Sequence, residues 1–387
     1  MPGLVFGKPS RSKQRVLVSN MSSVSAFAKH RAEADGFVYL DISGEPFAIG
    51  GIAHPNENGG EFYRLDPARR GEYSPDNRFL AENTPGASVR FITNADRVSL
   101  RIKLRAGCFG MHHFCDRGVY GVDAYVGTGT DRRYVGGQMQ TFADNHDVNT
   151  GVLNLPQGAK EVMIDLPLYA GISGMEIGFP KGTRVGKPTE RTVKPVAFYG
   201  SSITQGGCVS RPGMAYPSII SRKLDKPVIN LGFSGNGRMD GNMADWIKTI
   251  PASAYVLDCL PNCTYNTTRD SSDYFIGWIA YSNPNTPVYL VNNFEYPQQF
   301  ILPGNNDDMV KENILIRDIY KRLKKHGTTI KDPVTGEEIK TGPLKNLRFI
   351  DVSKEKGIDN EDTVDGNHMT DLGTAHFSAR LLKYLKR

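Results

Sequence analysis

The hydrophobic rhythm of this chain changes once, at residues 181–192, and the change dictates what it can fold into. Before it, apolar and polar residues alternate with period two in short runs: Ser88–Ile92, Arg97–Ile102, Val122–Val126 and Glu161–Leu166. Glycine and proline punctuate these runs, and no long helical period interrupts them. That is the pattern of half-buried strands in a β-sandwich. After the change, apolar strand segments alternate with helical periods. Strands are expected at 194–199, 228–232, 254–259, 287–292 and 347–352, and helices at 214–224, 242–250, 269–281, 309–326 and 370–385. Strict alternation implies a parallel sheet with helices on both faces. Pro180–Pro188, between the two textures, is rich in Gly, Pro and cations and reads as a linker. A chain of 387 residues exceeds what one ordinary core serves. The expected organisation is an irregular lead-in at 1–36, a β-sandwich at 37–180, a linker at 181–192 and an α/β domain at 193–387. Residues 328–341 break the alternation and read as a small hairpin insertion.

In such a sheet, ligands bind where the strands end. The first strand is followed by Gly200-Ser201-Ser202, and the second by Gly232-Phe233-Ser234-Gly235-Asn236-Gly237. Leu260-Pro261-Asn262-Cys263 follows the third, and Asn292, Asn293, Glu295 and Tyr296 follow the fourth. Across a loop from the fifth lies Asp365-Gly366-Asn367-His368. A serine on the turn from strand to helix is exposed to substrate yet rigidly held. Its hydroxyl is a poor nucleophile until a base takes its proton. His368 can be that base, and Asp365, three residues earlier, can hold the imidazole tautomer. Ser202, Asp365 and His368 are therefore the candidate triad. The competing structural reading makes Asp365 a helix cap and His368 a surface residue.

These segments together resemble the four sequence blocks of the SGNH, or GDSL-type, serine hydrolases. Gly200-Ser201-Ser202-Ile203 resembles the first block, Gly235 the second-block glycine, Asn262 the third-block asparagine, and Asp365 with His368 the last block. Two departures stand out: Ser201 replaces the usual aspartate, and Leu-Pro-Asn-Cys replaces Gly-x-Asn-Asp. Upstream, Gly121-Val122-Asp123-Ala124-Tyr125 and the stretch Leu166–Gly178 resemble the β-domain of a Bacteroidetes-type subgroup of GDSL-like esterases. The resemblance implies an all-β sandwich joined to a three-layer, flavodoxin-like α/β hydrolase domain. It also implies an oxyanion hole built from the N–H groups of Ser202 and Gly235 and the side-chain amide of Asn262. For Gly235 and Asn262 a plain turn role is the alternative.

The implied activity is removal of an acetyl or other short acyl group, with an acylated carbohydrate or small ester as substrate. Alternatives are a lipid or thioester hydrolase of the same mechanism, or an inactive carbohydrate-binding protein. Arg211, Arg238, Glu295, Tyr296 and His113 are candidate substrate contacts. Cys108 and Cys115 enclose His112 and His113, but at no standard zinc spacing. A loop reaching from the β-domain to the active-site rim is expected there, and no metal or cofactor. Five sparse cysteines are not a disulfide framework, although Cys208, Cys259 and Cys263 lie close enough in this fold to allow one bridge. A net charge of +6 permits acidic substrates without requiring them. No basic stretch interleaved with aromatics suggests nucleic acid, and no apolar run is long enough to span a bilayer. The chain reads as soluble: periplasmic or secreted if a leader was removed, otherwise cytoplasmic. Oligomeric state is open.

Overall fold

The computed structural model describes residues 17, 19–27, 35–55, 61–105, 111–138, 149–295, 297, 307–354 and 360–386. The second half of the chain forms a parallel sheet. Its strands are β1 (Val196–Gly200), β2 (Val228–Gly232), β3 (Ala254–Asp258), β4 (Val288–Val291) and β5 (Leu347–Ile350), in spatial order β2-β1-β3-β4-β5. That order reverses at β1, so a crevice opens beyond the end of β1. Alternation along β1 explains the layering. Ala197 and Tyr199 join one apolar core with Trp246, Phe275 and Ile319, whereas Val196 and Phe198 join the other with Ile220, Phe377 and Leu381. Helices at Tyr216–Leu224 and Asp371–Leu385 cover the second face, and those at Gly241–Ile247, Tyr265–Ser282 and Asp307–His326 the first. Thr329–Lys331 and Glu338–Lys340 pair as the inserted hairpin.

The first half forms two antiparallel sheets around a third core. One has four strands, in the order Phe37–Asp41, Gly171–Pro180, Arg97–Arg105, Asn149–Asn154. The other has seven, with Ser88–Thr93 and Lys160–Asp165 at its centre. Two segments read as irregular add strands to it: Met21–Ser23 from the lead-in lies at the edge and pairs Arg184–Gly186 from the linker, which in turn pairs Ser88–Thr93. Each offers a single inward apolar residue, Met21 or Val185, which is too little for a period to register.

Two of the four strands expected to be half-buried are buried on both faces: whereas Arg97–Arg105 keeps exposed residues, every residue of Ser88–Thr93 and Lys160–Asp165 is covered. Their polar face is turned not to water but to the α/β domain, and its charges are paired. Arg90 and Arg132 meet Glu161 at 3.2 and 3.3 Å. Across the boundary, Arg132 meets Asp225 at 2.6 Å and Arg222 meets Asp165 at 3.3 Å. Buried charges persist where they are paired or fully hydrogen-bonded. Residues 61–81, meanwhile, leave the sandwich. Tyr63, Leu65, Tyr73, Leu80 and Ala81 join the core on the α/β sheet beside Trp246. Short 3-10 turns and one helix of seven residues, Pro75–Ala81, carry this arm, so no hydrophobic period marked it.

Candidate active site

Ser202 opens a one-turn helix, Ser202–Gln205, directly after β1. Ser201 caps that turn: its side chain accepts the N–H of Ile203 at 3.2 Å. Serine and aspartate cap helices about equally well, so replacing the aspartate leaves the turn intact. Gly206 closes it at φ +107°, a conformation open to glycine. Close packing beneath is also glycine's work. A Cβ at Gly232 would strike the backbone of Gln205, and one at Gly237 the carbonyl of Gly200. The second-block loop therefore lies directly against the serine turn. Ser202 was expected to be exposed, but the residue is 6% accessible, because the loop bearing His368 lies over it.

The triad candidates form one hydrogen-bonded line. Ser202 Oγ lies 2.8 Å from His368 Nε2, and His368 Nδ1 lies 2.7 Å from Asp365 Oδ2. The other oxygen of Asp365 accepts the N–H groups of Asn367 and His368, at 2.9 and 2.7 Å. Partial burial works to raise the Asp365 carboxyl. Hydrogen bonds from the His368 ring and these two N–H groups outweigh it and hold the group below the ordinary carboxylate value. The helix that follows is capped by Thr370, whose hydroxyl accepts the Gly373 N–H. Asp365 is thus free of the capping role and engaged with the histidine.

Among the described residues, the N–H groups of Ser202 and Gly235 have no hydrogen-bond acceptor. Gly235 has φ +70° with open space where a Cβ would stand, so conformation and not crowding calls for glycine there. Asn262 ends a 3-10 turn, Leu260–Asn262, and donates one amide hydrogen to Phe233 O at 3.1 Å. Its second amide hydrogen has no acceptor among the described residues. The altered third block keeps its asparagine tied to the second-block loop, and Cys263 bonds back to Cys259 O within the same turn.

The candidate substrate contacts divide. His113, from the β-domain, has Nε2 3.2 Å from Asp365 Oδ2, and its ring centroid lies 5.6 Å from that of His368. Arg211 is instead held by the β-domain. Its guanidinium donates to Asp123 Oδ2 and Tyr125 Oη, both at 2.7 Å, and stacks over Tyr134. The same Asp123 oxygen accepts the Gly213 N–H at 2.9 Å. The Gly-Val-Asp-Ala-Tyr segment therefore grips the loop that follows the serine turn. Arg238 is exposed beyond the second-block loop, and Glu295 is half-buried after β4. Tyr296 lies outside the described residues, as does Cys108. Cys115, Cys208, Cys259 and Cys263 are free thiols, so no bridge joins the last three. Burial and the nearby Asp365 push Cys208 up to about 12, leaving it a neutral thiol.

Sequence reasoning missed several supports. Gln205 links the serine turn to three segments, donating to Asn83 Oδ1 at 3.0 Å and Leu168 O at 3.1 Å and accepting the Ser234 N–H at 3.0 Å. Asp258, at the end of β3, accepts from Tyr216 at 3.0 Å and Thr204 at 3.4 Å beneath the same turn. Arg64, 1% accessible, donates to the carbonyls of Asn230, Gly232 and Leu80 at 2.9, 2.7 and 2.6 Å. Polar residues at strand ends were the one available signal, and it could have found Asp258 alone.

The sequence profile of the GDSL-like lipase/acylhydrolase family matches residues 193–386, and that of the N-terminus of SGNH-hydrolase-type esterases matches residues 37–185. A Bacteroides ovatus protein described as a GDSL-like lipase is 27% identical, over 90% of this chain and 96% of its own, with a TM-score of 0.77. A salicylyl-acyltransferase from a tetracycline biosynthetic pathway shares the fold at 16% identity, over 92% of this chain and 98% of its own (TM-score 0.69). So does a family two carbohydrate esterase from Cellvibrio japonicus at 12% identity, over 90% of this chain and 97% of its own (TM-score 0.54). No curated protein matches the chain.

Proposed function

The chain belongs to the GDSL-like lipase/acylhydrolase family and is an esterase, and from that premise we propose that it removes acetyl or similar short acyl groups from a carbohydrate by a Ser202–His368–Asp365 mechanism. The observation that carries this reading is the unbroken hydrogen-bonded line from the Ser202 hydroxyl through the imidazole to a carboxylate. His368 Nε2 takes the proton of Ser202 as Oγ attacks the ester carbonyl. Asp365 stabilises the imidazolium without taking its proton. The N–H groups of Ser202 and Gly235 and the spare amide hydrogen of Asn262 receive the developing oxyanion, where one such donor is typically worth about 3–4 kcal/mol. The imidazolium then gives its proton to the leaving sugar oxygen. Water, deprotonated by His368, attacks the acyl-serine, and the acid departs as Ser202 regains its proton.

The carbohydrate part of the reading draws support from the family two carbohydrate esterase of like fold and from the small and amide side chains along the rim. The test is acetate release from a panel of acetylated glycans, run beside nitrophenyl esters of increasing chain length. Release from glycans with rates falling as the acyl chain lengthens is the expected result. Preference for long chains would favour a lipid hydrolase. Absence of both turnover and fluorophosphonate labelling would leave a carbohydrate-binding role.

A further inference from the structure

One thiol and two imidazoles converge beside the proposed triad without any catalytic step using them together. His113, Cys208 and His368 each present a ligand atom, and these atoms lie within 4.8 Å of one another. They come from three separate places: the β-domain segment before the helix Asp116–Tyr120, the loop after the serine turn, and the last-block loop. We propose that these residues form an inhibitory site for zinc, a proposal that rests on His368 being the catalytic base.

The donor set has the right chemistry. Zinc takes thiolate sulfur at about 2.3 Å and imidazole nitrogen at about 2.0–2.1 Å, and three protein ligands that mix cysteine and histidine are a known arrangement that leaves a fourth position for water. Thiolate and imidazole together select zinc over the hard cations magnesium and calcium. Tetrahedral coordination would bring the donors closer by roughly 1 Å. The His113 side chain, 37% exposed, has room to make that move.

Two further observations support the site. Asp365 already touches one nitrogen of each ring, at 3.2 Å for His113 and 2.7 Å for His368. A carboxylate braced against the imidazole in this way is the usual companion of a metal-bound histidine. Cys208 is buried and held at φ +72°, a left-handed conformation uncommon for any residue but glycine. The fold therefore fixes that thiol beside the triad with its backbone in a restricted conformation.

Binding balances simply. The Cys208 thiol loses its proton to solvent, zinc takes the sulfur and one lone pair from each imidazole, and no electron is transferred. Once His368 has given that lone pair to the metal, it cannot take the Ser202 proton. Zinc and turnover exclude each other, and the β-domain supplies one of the ligands that make it so.

The experiment uses the full chain freed of metal, with nitrophenyl acetate as substrate and zinc added at buffered free concentrations. Each variant is referred to its own zinc-free rate. The wild type should be inhibited, and a chelator should reverse it. Cys208→Ser and Cys208→Ala should each need roughly tenfold or more zinc for the same inhibition. Cys115→Ser, which alters the exposed thiol nearby, should respond like the wild type. Cobalt supplies a readout independent of activity. Ser202→Ala should still develop the thiolate-to-cobalt charge-transfer absorption and lose it to zinc, whereas Cys208→Ser and His113→Ala should not develop it. Equal zinc sensitivity in wild type and both Cys208 variants would overturn the proposal, as would activation by zinc or no thiolate band in wild type. If Ser202→Ala binds cobalt yet keeps esterase activity, the metal site stands and the triad reading fails.

Discussion

Asn262 carries two duties with one amide, and they can be separated. One hydrogen ties the third block to Phe233 O, and the other is proposed for the oxyanion. Asn262→Ala should lower kcat by about 10²–10³ with little change in KM, because the second bond matters mainly in the transition state. Steady-state kinetics with a short-chain nitrophenyl ester checks this. An unchanged kcat would mean the amide serves only the loop. Ser202→Ala should reduce activity to background and abolish fluorophosphonate labelling. Its stability cost should be about 1 kcal/mol, the loss of one hydrogen bond to His368, read from denaturant unfolding. Labelling that survives in the variant would move the nucleophile elsewhere. The candidate triad was legible because each member stands at a strand end or within three residues of its partner. The pairing of Arg211 was not legible for the opposite reason: Asp123 and Tyr125, to which it donates, are 88 and 86 residues away, and no local pattern records such a contact.

At the scale of elements, the strand–turn–helix unit bearing Ser202 rests on the buried Asp258. Burial pushes that carboxyl up to about 7, so its protonated form dominates below neutrality and can bond within the Thr204–Tyr216 pair. Its folded value is raised above the ordinary one. The stabilising contribution is therefore fully present below about pH 4 and is lost as pH rises through about 7. Asp258→Asn cannot ionise and keeps a similar shape. The melting temperature of the variant relative to wild type should climb steadily between those two pH values in a thermal scan series. A flat difference would show that Asp258 does not titrate in that window. Arg64 supports the neighbouring strand β2. Burial draws its guanidinium down to about 9, still cationic at neutral pH, and no carboxylate pairs with it among the described residues. Three carbonyls do that work. Arg64→Met should cost on the order of 3 kcal/mol, seen as a lower urea midpoint at unchanged slope. The five parallel strands were legible to within two residues at each end, because each is a short apolar run between helical periods. The arm holding Arg64 was not, because nothing in a run of 3-10 turns repeats.

For the molecule as a whole, the joint between the halves is the least expected feature. Alternating strands announced one wet face, and the charges on that face meet charges of the α/β domain instead. Asp123 is fully buried and holds both Arg211 and the Gly213 N–H. Asp123→Ala would leave the part-buried Arg211 without its carboxylate and the Gly213 N–H without an acceptor, a change that costs on the order of 1–3 kcal/mol. Hydrogen exchange across residues 208–214 should accelerate in that variant while β3 and β4 stay protected. Unchanged exchange in the loop would mean that the clamp does not order it. The arm at 61–81 has a different consequence, one of timing. Its apolar residues leave the ribosome well before β2 and the helix Gly241–Ile247, beside which they pack. At 5–20 residues per second, that wait is on the order of ten seconds. Throughout that interval Tyr63, Leu65, Tyr73 and Leu80 have no sheet to cover them, so the nascent first half carries a sticky flank until the start of the second half has emerged and folded.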